Sequence, residues 1–192
     1  MISYTSDNIA LIKSLAELVQ ETTIKFKDIL SDDNSRNFVD VGGLQSTMWQ
    51  YIEYFNIIEM YTNKGHTYKT VGDIGCGVGI GEFIYNRLYK DTVGADFISY
   101  QRDVGYVYKY DHVLREMGID TIPYTGNFLP EFNQPIGMSG PKVDVAIAHR
   151  CVFRENYNWE AMRPFFNDNG LLISSLDHRP MGFDIIHYRY KS

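Results

Sequence analysis

The chain has 192 residues, 44% of them hydrophobic and 22% charged, enough for one domain with a full core. Its formal net charge of -6 excludes a broad phosphate-neutralising surface and so argues against a dedicated nucleic-acid binder. Two cysteines, Cys76 and Cys151, make no disulfide framework; the start of the chain carries no signal-peptide pattern, and no apolar run approaches the roughly 18 residues of a membrane span. The expectation is a reduced, cytoplasmic protein without a membrane or nucleic-acid partner.

The first element is an amphipathic helix over 7–30, with Ile12, Leu15, Ala16, Val19, Phe26 and Leu30 at three- and four-residue steps and Ser6 or Asp7 as its cap. A polar break covers 31–37, and "VDVGG" (39–43) reads as loop. A second helix spans 46–62, with Met48, Ile52, Phe55 and Ile58 inward and Asn63 and Gly65 at its end. From residue 70 onward strands and helices alternate. "TVGDI" (70–74) is a strand, 80–90 a helix, "TVGADF" (92–97) a strand, 99–117 a helix and "IDTIPYT" (119–125) a strand. After a loop over 133–142 come a buried strand, "VDVAIA" (143–148), a short helix at 159–166, the strand "LLISSL" (171–176) and an alternating edge strand, "FDIIHYRY" (183–190). No repeat or composition break marks a second domain. One unit is expected, with N-terminal helices over 1–65 and an α/β core over 66–192. Alternation of this kind builds βαβ units and a mainly parallel sheet, which binds ligands at the carboxyl ends of its strands.

The glycine cluster "VGDIGCGVGIGEFI" (71–84) sits at such an end. It is not a phosphate loop, because no Lys follows at the required place. The dinucleotide fingerprint G-x-G-x-x-G fails in every frame: the third position is Ile80, Glu82 or Ile84. Asp73 lies two residues before Gly75. A carboxylate there repels a pyrophosphate but suits an amino group or a cation.

"DIGCGVG" (73–79) resembles the acidic-x-Gly-x-Gly-x-Gly motif of class I S-adenosylmethionine-dependent methyltransferases. The similarity runs over roughly residues 66 to 180, through "VGADF", "YTGNFLP" (124–130), "VDVAIAH" (143–149) and "NDNGLLISS" (167–175). It implies an α/β, Rossmann-like, mainly parallel sheet with helices on both faces, here with an N-terminal helical extension. The implied cofactor is S-adenosyl-L-methionine, held by Asp73, Gly75, Gly77 and Gly79, with Asp96 on the ribose hydroxyls. Asn127 stands where the family often has an Asp for the adenine amino group. Phe97 or Phe128 either stacks on adenine or packs in the core. The chain departs from the family at its end: sixteen residues follow Leu176, enough for one strand rather than a helix and hairpin. That shortens the C-terminal edge, and a homodimer is expected to cover it.

Methyl transfer needs an aligned nucleophile and often a base. His149, after the fourth strand of the resemblance, is the first candidate base and His178 the second; each also has a plain structural reading as a loop-satisfying imidazole. Tyr51 and Tyr54, on the second helix, either cover the site or only pack. The five histidines show no metal-ligand spacing. The motifs of amino-adenine, cytosine C5, arginine and ribose methylation are absent, which leaves a small-molecule hydroxyl or amine as the acceptor. The competing readings are a non-catalytic S-adenosylmethionine-binding subunit and a nicotinamide-dependent oxidoreductase, the latter opposed by Asp73 and the failed fingerprint.

Overall fold

The computed structural model describes residues 1–30, 36–102, 110–125, 137–149, 159–177 and 183–189. Helix α1 (Ser6–Thr23) starts at Thr5, whose hydroxyl accepts from the Asn8 amide, and gives way to a 3₁₀ turn at Ile24–Phe26. Helix α2 (Val41–Asn63) begins five residues before the expected start. Asp40 caps it by accepting from the Gly43 amide at 2.9 Å, so "VDVGG" is a helix entry rather than a loop. Capping overrides the low helix propensity of its two glycines.

Seven strands follow: β1 (Thr70–Ile74), β2 (Asp96–Arg102), β3 (Thr121–Thr125), β4 (Gly137–Met138), β5 (Val143–Ala148), β6 (Phe166–Asp177) and β7 (Phe183–Arg189). They lie in the order β4-β3-β2-β1-β5-β6-β7. Strands β1, β2, β3, β5 and β6 run parallel; β4 and β7 are antiparallel at the two edges. The order reverses at β1, with β2 on one side and β5 on the other, which makes this edge a topological switch point. The architecture is Rossmann-like.

Helices α3 (Ile80–Leu88), α4 (Lys90–Val93) and α5 (Asp111–Glu116) complete the set. One sheet face, with Val71, Val145, Ile147, Leu171 and Ile173, shares a core with Ile12, Val19, Met48, Phe55 and Ile58 of α1 and α2 and with Ile84 of α3. The other face, with Tyr100, Ala146, Ala148 and Leu172, packs on Met162 and Phe165 of a 3₁₀ turn (Trp159–Phe165). Helical cover is therefore present on both faces, but the described α-helices of the main core lie on the first.

Three expectations need correction. The apolar "TVGADF" is strand only in its last two residues. Its first residues close α4, Gly94 ends that turn at φ 72°, and the Tyr85 hydroxyl holds Ala95 at both its amide and its carbonyl, so β2 starts at Asp96. The helix expected over 99–117 is correspondingly short: β2 occupies its first residues and α5 only 111–116. The strand expected at 171 starts earlier; β6 runs from Phe166 and takes Asn167–Gly170 as an irregularity between its pairings at Phe166 and Leu171.

Candidate functional site

Strand β1 delivers Asp73 to the carboxyl edge, level with Ile147 of β5 and Ser99 of β2. The following loop turns on Gly75, Gly77 and Gly79, at φ 74°, 57° and 82°, a region that side chains with a Cβ rarely adopt. The Gly75 and Cys76 amides both donate to the Tyr100 carbonyl, which docks the loop on β2. A Cβ on Gly81, in the first turn of α3, would overlap Asp73 Oδ2 and lie 2.6 Å from Tyr51 Cε1, so the helix meets the acid only because this residue is glycine.

Asp73 is fully buried. Its Oδ2 accepts the Tyr51 hydroxyl at 2.8 Å, while Oδ1 has no hydrogen-bond partner. Burial pushes its carboxyl up to about 7, opposed by the Tyr51 hydrogen bond and reinforced by the nearby Glu82 charge. Glu82 stands in the first turn of α3 and accepts from Ser99 Oγ at 2.7 Å; burial raises its carboxyl as well. Burial, with the Asp73 charge next, holds the Tyr51 phenol well above its usual range.

His149 directly follows β5. Asp73 pairs with Ile147, so His149 emerges two residues on, at the same edge and on the same face as Asp73. Tyr54 and His149 Nδ1 are 3.0 Å apart, and the Tyr51 ring lies 5.0 Å from the imidazole. Tyr51 and Tyr54, three residues apart on α2, thus reach Asp73 and His149 respectively. The sequence signal for this was their spacing on one helix face.

The structure does not bring Asp96 to this site. It is the first residue of β2, paired with Thr70 at the amino end of β1, and it is exposed. Five residue steps take β2 from it to Gln101, about 16 Å along the strand. The displaced start of β2 is the reason. The residue beside the loop is instead Gln101, which accepts from Cys76 Sγ at 3.4 Å. Phe97 is core, with its ring 4.9 Å from Tyr85 and 6.1 Å from Phe55. Phe38 is the aromatic near the loop: its Cζ would be 3.5 Å from a Cβ on Gly77. Asn127, Phe128, His178 and Cys151 lie outside the described residues.

No protein-family model and no curated protein sequence matches the chain. Solved structures do. The plantazolicin methyltransferase BpumL in complex with SAH (S-adenosylhomocysteine) is similar over 86% of this chain and 62% of its own, at 17% identity and a TM-score of 0.48. The SAH-bound methyltransferase PaMTH1 of Podospora anserina is similar over 91% and 71%, at 10% identity and a TM-score of 0.44. SAM-bound CalS10 of Micromonospora echinaspora, an amino pentose methyltransferase involved in calicheamicin biosynthesis, is similar over 70% and 52%, at 13% identity and a TM-score of 0.43. The chain spans about 62% of the length of BpumL. These likenesses are of overall shape and lend no residue its role.

Proposed function

We propose that this chain binds S-adenosyl-L-methionine at the glycine loop and catalyses methyl transfer to a hydroxyl or amine of a small molecule. The observation that carries the reading is Asp73: a buried carboxylate with one oxygen unpartnered, set against a loop of three left-handed glycines at the switch point. An amino group supplies what Oδ1 lacks, and a cation beside it restores the charge that burial suppresses. The glycines let the backbone close on a ligand without side chains in the way. The residues therefore fit the amino-acid end of the cofactor. They do not fit its ribose through Asp96.

When bound, S-adenosylmethionine supplies a sulfonium methyl open to in-line displacement. Asp73 and the loop at Gly75, Gly77 and Gly79 orient the donor. His149 takes the acceptor's proton. Tyr54 lies within hydrogen-bond distance of Nδ1; in the tautomer whose Nδ1–H donates to the tyrosine oxygen, Nε2 carries the lone pair that a base needs. Asn127 as adenine partner and His178 as a second base remain proposals carried by the sequence alone.

Calorimetry with SAH, NAD and NADP tests the reading. SAH binds and the nicotinamide cofactors do not; binding of NAD alone overturns it, and SAH binding without turnover of any acceptor leaves the non-catalytic subunit. We further propose self-association. Among the described residues β7 pairs only with β6, and Ile9, Leu11, Leu18, Ile24 and Ile29 along α1 and its extension are exposed. Light scattering at tens of micromolar, about the range where a specific dimer is populated, gives a dimer mass; a monomer mass contradicts it.

A further inference from the structure

Helix α2 runs antiparallel to the central strands. Tyr51 meets Asp73 near their carboxyl ends, whereas Tyr61, ten residues later, lies under Arg189, which pairs with Leu171 in the amino half of β6. Moving from Tyr54 toward the start of α2 therefore moves out over the carboxyl edge. Gln50 is one turn before Tyr54 on the same side of the helix, about 6 Å further along its axis. It is 5% exposed, and its carboxamide oxygen is buried with no hydrogen-bond partner. A buried acceptor without a donor destabilises a fold, and the chain keeps one on the Tyr54 side of α2, toward the carboxyl edge of the sheet.

We infer that Gln50 recognises the methyl acceptor, its carboxamide oxygen taking a hydrogen bond from an uncharged O–H or N–H of that molecule. The inference rests on the methyl-transfer reading. With His149 engaging the reacting group, the acceptor needs two hydrogen-bearing polar groups, one for each residue. A carboxylate or phosphate facing Gln50 Oε1 has no hydrogen to give and is repelled by that oxygen; only the Nε2 end of the carboxamide could meet it. The substrate class is thus a neutral molecule with paired polar groups, such as a diol or a hydroxy-amide.

The test uses SAH-saturated protein and four probes, resorcinol, phenol, 3-hydroxybenzoate and 3-hydroxybenzylammonium, with affinities read by ligand-observed NMR. Wild-type protein binds resorcinol about tenfold more tightly than phenol and rejects 3-hydroxybenzoate, the discrimination expected of one satisfied hydrogen bond. Gln50→Met, which keeps the side chain's length, binds resorcinol and phenol equally. It leaves SAH affinity unchanged and makes the ligand-free protein no less heat-stable, because no bond within the fold is lost. Gln50→Glu, which keeps the acceptor and adds charge, prefers 3-hydroxybenzylammonium to resorcinol. Equal binding of resorcinol and phenol by the wild type, a preference that survives Gln50→Met, or a lowered melting temperature in Gln50→Met overturns the inference. Wild-type protein that fails to take SAH overturns the cofactor reading and this inference with it; SAH binding without probe discrimination overturns this inference alone.

Discussion

Asp73 and Asp144 stand on neighbouring parallel strands at opposite ends of the sheet, and their carboxylates live under opposite conditions. At the amino end, Asp144 accepts from the Lys69 and Thr70 amides at 2.7 and 3.2 Å and from Asn167 at 2.8 Å. Partial burial pulls its carboxyl up, but the bonds from Asn167, Lys69 and Thr70 outweigh it and hold the group below its ordinary value. At the carboxyl end, Asp73 has one donor, Tyr51, for two oxygens, and burial pushes it up to about 7. Asp144 ties β5 to the start of β1 and asks nothing more. Asp73 is left with an unpartnered oxygen, and so is Gln50, one turn before Tyr54 on α2. Together these atoms mark the carboxyl edge as the end that awaits a ligand.

The contrast predicts different losses at the two ends. The largest is in turnover: His149→Ala lowers methyl transfer by about 10²–10⁴-fold, the usual worth of a general base, and leaves SAH affinity unchanged by calorimetry. A full-rate variant would show that alignment alone drives the transfer. Next is Asp73→Asn, which weakens SAH binding by about 10–100-fold, the loss of a charge-assisted hydrogen bond. Binding of an amino cation draws on ionised Asp73, whose carboxyl sits at about 7, so wild-type affinity drops about fivefold from pH 7 to pH 6; Asp73→Asn has no such slope. The stability effect has the reverse sense. The folded chain holds this proton more tightly than the unfolded chain, where the group titrates near 4. Stability therefore falls as pH rises from about 4 to about 7 and then levels. Urea titrations must show Asp73→Asn gaining on the wild type between pH 5 and pH 8; a constant difference sinks the assignment.

Much of this edge was legible in the sequence. The strands "TVGDI" and "VDVAIA" carry short apolar runs bounded by turn residues, and both form where expected. The alternating glycines and Asp73 announced a turning loop beside an acid, and both stand at the end of β1. Beyond these residues legibility faded for physical reasons. "TVGADF" is as apolar as a strand, and periodicity cannot tell a short strand from a short buried helical turn. What decides is tertiary: the Tyr85 hydroxyl pins Ala95, so β2 starts at Asp96, four residues after the expected start at 92, and runs on to Arg102. That shift puts Asp96 at the amino end of β2 instead of its carboxyl end. Gln50 gave no signal at all, because an unpaired buried oxygen exists only once α2 has docked against the sheet.

The smaller effects belong to the amino end. Asp144→Ala removes three donors' partner at a partly exposed position, so it lowers unfolding free energy by about 1–2 kcal/mol. Its contribution in the wild type is present above about pH 4 and is lost as pH falls through the group's lowered value, because the folded chain binds this proton more weakly than the unfolded chain does. SAH affinity is unchanged, since the group lies at the far end of β1 from the loop. An affinity change would mean that the two ends are coupled through the strand.

Asp96→Ala is the smallest and the most discriminating. The resemblance to methyltransferases assigns this acid to the ribose; its place in β2 assigns it nothing. It is exposed, its backbone amide donates to the Lys69 carbonyl, and that bond survives the substitution. The expected result is an SAH affinity and a melting temperature both equal to the wild type's. Gln101→Ala is the companion measurement, because Gln101 is the residue that β2 places against the glycine loop through Cys76. Its loss weakens SAH binding by a few-fold, on the scale of one neutral hydrogen bond. If Asp96→Ala were the variant that lost affinity and Gln101→Ala the silent one, β2 would have to slide by five residues along β1. Such an odd-numbered slide would also turn Ser99 and Tyr100 to opposite faces, exposing the Glu82 contact and burying a polar group in the second core. The sheet's own packing opposes that register, and the pair of measurements decides which of the two accounts of the ribose end holds.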